Sequence, residues 1–261
     1  MQNSIIAINN FLPPFLTVEI SNICNIKCKM CTLREKDPLS PQFMNIPTFS
    51  KILDSIYKSP LRFSDLRLFW TGEPLLNPDF NTFLKMLYDR EKKYKKFSLI
   101  AFDTNGILFN DSIISTIEFV SEILPLSIIV SLDSINTETY SKIRGRNSEI
   151  VIENIKKLLK IKKNYPKVAV QFIIMRENYN EIKEFITYWE NEFKKHSKDF
   201  NILLNASTAE KNGVNLRPLT EQNNPSMQDE SNNLYINTLK NIGIFVDENI
   251  ISSQGGGHYE G

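Results

Sequence analysis

Hydrophobic and polar positions follow two alternating periods along most of this chain. Short, nearly continuous apolar runs are separated by longer stretches in which apolar residues recur every three or four positions. The first pattern predicts buried strands and the second amphipathic helices. Leu16–Glu19, Asp65–Trp70, Phe97–Phe102, Ser127–Leu132, Val168–Ile174 and Phe200–Leu204 read as strands. Thr48–Lys58 carries Phe49, Ile52, Leu53, Ile56 and Tyr57 at helical spacing, and Asn77–Pro78 opens a helix with Phe80, Phe83, Leu84, Leu87 and Tyr88 on one face. Ser112–Val120 and Ser148–Lys162 read as helices, as does Asn178–Phe193, which lines up Ile182, Phe185, Ile186, Trp189 and Phe193. Such alternation predicts an α/β fold around a parallel sheet, wound or barrel-like through right-handed crossovers. After Asn205 the pattern stops. Residues 206–229 are rich in Asn, Pro, Ser, Thr and charge and read as a long loop, Ser231–Ile242 as one more helix, and Gly255–Gly257 as the start of a fraying tail. The expected division is a core over 1–205 and an irregular C-terminal extension over 206–261.

Composition narrows the function classes. With 41% hydrophobic residues the 261-residue chain can bury a sizeable core. Its 31 basic and 30 acidic residues nearly cancel, and the Lys pairs fall at separate helix ends as solvated faces, so no nucleic-acid partner is indicated. High Asn, Ile and Lys content is read as coding bias. No apolar run approaches the length of about 18 residues that a membrane helix needs. No basic-then-apolar signal segment opens the chain, so a cytoplasmic location without membrane contact is expected.

The three cysteines are Cys24, Cys28 and Cys31, spaced C-x3-C-x2-C directly after the first strand. A clustered, odd set is a poor disulfide framework, whereas soft thiolates suit an iron–sulfur cluster or zinc. A [4Fe–4S] cube takes four protein ligands, and three thiols would leave one iron open to a ligand. The alternatives are zinc, with the fourth ligand from His196 or His258, and three ordinary buried cysteines. The polar residues Asn25, Lys27 and Lys29 within the segment speak against the latter.

With Val18-Glu19-Ile20-Ser21-Asn22-Ile23 leading into it, this cluster resembles that of the radical S-adenosylmethionine (SAM) superfamily, in the style of its peptide- and sulfatase-maturing branch. The resemblance covers roughly residues 16–205. It implies a partial (β/α)6 TIM-like barrel whose cofactors are one [4Fe–4S] cluster on Cys24, Cys28 and Cys31 and SAM on the open iron. Met30 would touch adenine through its backbone, unless it only packs. Gly72-Glu73-Pro74, after the second strand, resembles the segment that accepts the methionyl ammonium; on its own it also reads as a surface turn. Ser131 would meet the ribose, with Asp133 its rival, and Arg144 the methionyl carboxylate; alternatively Ser131 and Asp133 merely end a strand and cap a helix. Asn105, in Thr104-Asn105-Gly106, would overlook the barrel mouth or simply make a turn. Met175 and Asn178 resemble adenine-pocket positions. All these residues fall at carboxyl ends of expected strands, the functional rim of such folds. Leu216–Leu219, with Arg217, lies within reach of that mouth.

The resemblance further implies reductive cleavage of SAM and hydrogen abstraction from a substrate by a 5′-deoxyadenosyl radical. A reductant such as flavodoxin or ferredoxin would supply the electron. A ribosomally made peptide is the favoured substrate; a sugar, nucleoside or other small metabolite is the rival, and a non-catalytic iron–sulfur carrier or partner subunit the alternative class. No Cys follows Cys31, so neither an auxiliary cluster nor a cysteine hydrogen donor is expected. No leader-binding domain is expected before Leu16, which leaves peptide recognition to a partner or to residues 206–261.

Overall fold

Strand–helix alternation builds one open parallel sheet in the computed structural model, which describes residues 15–31, 40–220 and 225–245. Its strands are β1 (Phe15–Thr17), β2 (Phe63–Arg67), β3 (Phe97–Thr104), β4 (Leu126–Ser131), β5 (Lys167–Ile174), β6 (Asn201–Leu204) and β7 (Gly213–Pro218). They are ordered β1-β2-β3-β4-β5-β7-β6, every pairing is parallel, and the sheet does not close. The helices are α1 (Ile46–Lys58), α2 (Phe80–Tyr94), α3 (Asp111–Val120), α4 (Thr137–Arg144), α5 (Ser148–Leu159), α6 (Ile182–Lys195) and α7 (Pro225–Asn241).

The six-strand expectation is corrected to seven. β7 lies inside the segment read as a long loop and inserts between β5 and β6. Its Val214 and Leu216 are fully buried and alternate with Asn215 and Arg217, the strand period. Residues 205–212 link β6 to β7 without a helix. α4 was also not expected; its boundaries are set by Asn136, which accepts from the Glu138 and Thr139 N–H groups, and by Gly145 in the left-handed conformation. Asn45, Asn110 and Asn147 cap α1, α3 and α5 in the same way. Part of the Asn content thus has a structural use that coding bias does not supply. Gly255–Gly257 and His258 lie outside the described residues.

One face of the sheet packs on the helices. Ile100, Phe102, Ile128, Val130, Val170, Phe172, Val214 and Leu216 join Phe83, Ile117, Ile155 and Trp189 in the main core. Ring pairs such as Phe80–Phe102 at 5.1 Å and Phe172–Phe185 at 4.7 Å lock helix to strand. The alternate residues form the inner face. There the link between β6 and β7 lies on the sheet, with Ala209 packed on Ile129 and Ala169 and its N–H donated to Ser127 Oγ at 2.6 Å. Toward the rim that face carries polar side chains, Asp103, Ser131, Gln171, Asn215 and Arg217 among them.

Candidate cofactor site at the carboxyl rim

Because all strands run the same way, the loops that follow them meet at one rim. The loop carrying the cysteines follows β1, and neighbouring rim elements pin its backbone. The Glu73 N–H donates to Ile23 O (2.8 Å), the Lys29 N–H to Ile143 O (2.8 Å) and Arg146 Nη2 to Asn25 O (3.1 Å). Asn105 Nδ2 donates to Asn25 Oδ1 at 2.7 Å, and Lys29 pairs with Glu177. The loop is therefore held from the segments that follow β2, β3 and β5 and from the C-terminal end of α4.

Gly72 is needed where this loop passes. A Cβ there would stand 2.2 Å from Ser21 O and 2.7 Å from the Ile23 N, both backbone atoms that cannot rotate away. Gly72→Ala should therefore displace the cysteine loop, cost roughly 1–3 kcal/mol of stability, as overpacking does, and lower cluster content after reconstitution. Thermal melts and iron analysis check this; a variant with wild-type melting and full iron would show that the close approach does not matter.

Cys24 and Cys28 lie above the ordinary thiol range, first through burial and further through neighbouring anions. Burial pushes Cys28 up to about 11, although Arg144 pulls it back. Burial raises Cys24 as well, with an Ile26 N–H opposing. Two side-chain donors face the sulfurs: Arg144 Nη1 at 3.5 Å from Cys28 Sγ and Asn105 Nδ2 at 3.9 Å from Cys24 Sγ. Among the described residues, no three Cys, His, Asp or Glu side chains already form a metal nest. The fit to an iron–sulfur cluster rests on the donor set, three thiols on one pinned loop, and on N–H groups directed at the sulfurs, as thiolate ligands require.

Glu73 is buried, and Oε1 accepts from the Leu75 N–H (3.1 Å) and Thr104 Oγ1 (2.7 Å) while Oε2 accepts from the Asn105 N–H (2.7 Å). It ties the rim of β2 to that of β3, and one acceptor position remains on Oε2. Burial lifts its carboxyl to about 6 against those three hydrogen bonds. Pro74 is buried and starts a short 3-10 turn, Pro74–Leu76. Asn105 is both turn and rim residue: its Oδ1 accepts from the Ile107 N–H at 3.0 Å while its Nδ2 reaches the cysteine loop.

Both carboxylate oxygens of Asp133 are taken by donors of the protein itself. The residue is fully buried, Oδ2 accepts from Arg144 Nε at 2.7 Å and Nη2 at 2.6 Å, and Oδ1 accepts from the Ile173 N–H at 2.7 Å. Burial raises its carboxyl, and Arg144 pulls it back. Burial alone lowers the Arg144 pKa, but Asp133, Cys28 and Tyr140 outweigh it and hold the guanidinium above its ordinary value. Asp133 is thus a positioning residue that aims Arg144 at the cysteine loop. Ser131 is half-buried on the inner face, with Oγ accepting from Gln171 Nε2 at 3.3 Å and its own O–H left to donate. Met30 is half-buried within the cysteine loop. Met175 is buried, and its N–H and carbonyl bond to Asn178. Asn178 Nδ2 in turn donates to Asp133 O (2.8 Å) and Ile173 O (2.9 Å), clamping the ends of β4 and β5. This clamping role is one the sequence did not disclose.

A model of the Radical SAM superfamily matches residues 18–188, more than half of the chain. The chain belongs to that superfamily. Radical SAM enzymes use a [4Fe–4S] cluster and SAM. Among its relatives is the tungsten-containing aldehyde ferredoxin oxidoreductase cofactor-modifying protein of Pyrococcus furiosus, 28% identical over 185 residues, covering 68% of this chain and 48% of that protein. Another is the antilisterial bacteriocin subtilosin biosynthesis protein AlbA of Bacillus subtilis, 27% identical over 135 residues, covering 52% and 28%. A GTP 3′,8-cyclase of Synechocystis is 28% identical over 185 residues, covering 69% and 52%. The chain spans about half, or less, of the length of these relatives. Among solved structures, anSMEcpe with bound AdoMet and Cp18Cys peptide shares the fold, with a TM-score of 0.61 at 17% identity over 88% of this chain and 60% of that one. No described helix is long and apolar enough to cross a membrane.

Site residues the sequence left unremarked lie on the inner face just inside the rim. Asp103 Oδ1 is sealed from solvent and has no hydrogen-bond partner. Burial pushes this carboxyl up to about 7, with Arg217 and Arg67 pulling it back and Glu73 opposing them. Gln171, in mid-strand, has no sequence signal that marks it.

Proposed function

We propose that this chain is a radical SAM enzyme that cleaves SAM reductively and takes hydrogen from a substrate lying on the inner face of the sheet. The observation that carries the reading is the pinned loop of three thiols with the Arg144 and Asn105 N–H groups beside two of its sulfurs. When bound there, the cluster and SAM supply reductive cleavage of a sulfonium and, through it, hydrogen-atom abstraction. The chain's own residues bind and orient. Cys24, Cys28 and Cys31 hold the cluster. The open acceptor position on Glu73 Oε2 suits the methionyl ammonium, and the Arg144 guanidinium, held by Asp133, suits its carboxylate. Ser131 offers a hydroxyl donor for the ribose, and Met30 and Met175 supply apolar surface for adenine. Gly72 and Pro74 set the path of the chain around them.

A peptide is the favoured substrate. The sequence likeness to AlbA and the shared fold with peptide-bound anSMEcpe support that reading. A nucleotide or other small metabolite is the second reading, favoured by the likeness to GTP 3′,8-cyclases. The electron would come from a flavodoxin or ferredoxin in the cytoplasm.

Anaerobic reconstitution, reduction and EPR spectroscopy with and without SAM test the proposal, with chromatography for 5′-deoxyadenosine. A reduced-cluster signal that changes when SAM is added, together with 5′-deoxyadenosine, is expected. A cluster that neither responds to SAM nor yields 5′-deoxyadenosine would leave a carrier or partner subunit in its place.

A further inference from the structure

We infer that Arg217 is an anion anchor for the substrate, holding a carboxylate or phosphate oxygen on the inner face next to the cofactor rim. The inference rests on the proposed reaction and specifies the chemistry of what that reaction acts on. Arg217 is half-buried on β7. Its Nε donates to Asn205 Oδ1 at 3.2 Å and its Nη1 to Gln171 Oε1 at 3.3 Å. Both acceptors are neutral amides. Arg217 makes no ion pair among the described residues, whereas Arg67 and Arg144, the neighbouring guanidiniums, pair with Asp65 and Asp133. Asp103 lies near enough to feel the Arg217 charge but is not bonded to it.

Two neutral anchors fix the plane of this guanidinium and leave it without a bonded carboxylate among the described residues, Asp103 acting on it only through space. A guanidinium held in this way presents its remaining N–H groups as a planar fork, the geometry that matches carboxylate and phosphate oxygens. Gln171 couples the anchor to the cofactor rim. Its Oε1 accepts from Arg217 while its Nε2 donates to Ser131 Oγ at 3.3 Å, and Arg217, a donor only, fixes which way the amide faces. Arg217 therefore sits two hydrogen bonds from the residue assigned to the ribose, and an anion on it three. That places the rest of the substrate over the rim, where hydrogen abstraction would occur.

The anion could belong to a peptide carboxylate or to a nucleotide phosphate, and the test separates them. Reconstituted, SAM-loaded full chain is titrated calorimetrically at low salt with acetyl-diglycine, with its C-terminal amide, and with pyrophosphate. One of the two anions is expected to bind saturably while the neutral amide does not. Binding should weaken by about tenfold or more in Arg217→Gln. It should also be lost in Gln171→Glu, whose new carboxylate would occupy the anchor and which tests the idea independently should Arg217→Gln fold poorly. Arg176→Gln, an exposed site whose partner is Glu230, should bind as wild type does. Acetyl-diglycine binding points to a peptide and pyrophosphate binding to a nucleotide. The inference is overturned if neither anion binds, if the amide binds as well as the acid, or if both rim variants bind like wild type. Failure of the reaction itself reads out separately: anion binding without 5′-deoxyadenosine formation removes the proposed chemistry and leaves the anchor, and the reverse result removes only the anchor.

Discussion

Alanine at Cys24, Cys28 and Cys31 together is expected to give a folded chain that takes up no iron–sulfur cluster. The contacts that hold the loop in place do not pass through sulfur. They are the backbone bonds from Glu73 to Ile23 and from Lys29 to Ile143, together with the Asn105–Asn25 amide pair. Ile20 and Ile26 bury the apolar side chains at either end of the segment. Removing three thiols therefore leaves the sheet, the helices and the path of the loop in place, and melting should move by only a few degrees. Ligation has no substitute. A [4Fe–4S] cluster needs about three thiolates even when a small molecule takes its fourth iron. His196, on α6, caps that helix at the opposite end from the rim, since α6 begins after the carboxyl end of β5. Iron and sulfide content after anaerobic reconstitution, the reduced EPR signal and 5′-deoxyadenosine formation should all fall to background while far-UV circular dichroism persists. A variant that still carries about four irons per chain would place the cluster elsewhere and sink the assignment.

What could be read from the sequence and what could not divide along a physical line. The cysteine loop could be singled out because its three thiols are neighbours in the chain, and their spacing is visible without knowing the fold. The four central strands first read, β2 to β5, were legible because their apolar runs are buried against helices; β1 and β6, at the sheet edges, carry exposed apolar residues such as Phe15, Ile202 and Leu204. β7 was not legible, although its Val214–Arg217 alternation is a strand signal: the polar half of that alternation faces the polar inner surface, and the surrounding Asn and charge disguise it as loop. α4 was hidden by its short, polar sequence, and only the Asn136 and Gly145 boundaries betray it. Asp133 and Arg144 were each singled out, but their pairing was not, because it depends on how the chain returns through α4 to the rim. Arg217, Gln171 and Ser131 come from three adjacent strands, and only the register of the sheet brings them together, with Ser131 opposite Gln171 and Arg217 two residues beyond Asn215, the partner of Gln171 on β7.

Asp133→Asn is the second large effect, and it separates charge from shape. Asp133 has a backbone φ of 63°, in the left-handed region, where Asn is among the best-tolerated side chains. The substitution thus leaves backbone and volume nearly unchanged and removes the negative charge with one of the two acceptor oxygens, the remaining one suiting the Ile173 N–H. Arg144 is then a buried cation, 6% exposed, without its carboxylate. Breaking a buried pair by removing one partner typically costs about 3–5 kcal/mol, more than the pair itself contributes, because the survivor keeps its desolvation penalty. For a chain of this size each kcal/mol corresponds to roughly 2–4 °C in melting temperature, so a fall of about 6–20 °C is expected. Adding Arg144→Met should restore much of that loss, since the double variant no longer buries an unpaired charge. Stability alone would not distinguish a structural pair from one that aims Arg144. Affinity for SAM does: it should fall in Asp133→Asn, where Arg144 is free to swing from Cys28, and should stay low in the double variant even as melting recovers. Wild-type melting together with wild-type SAM affinity in Asp133→Asn would mean that the pair neither holds the rim nor orients the guanidinium. Recovery of SAM affinity along with stability in the double variant would limit Asp133 and Arg144 to a purely structural role.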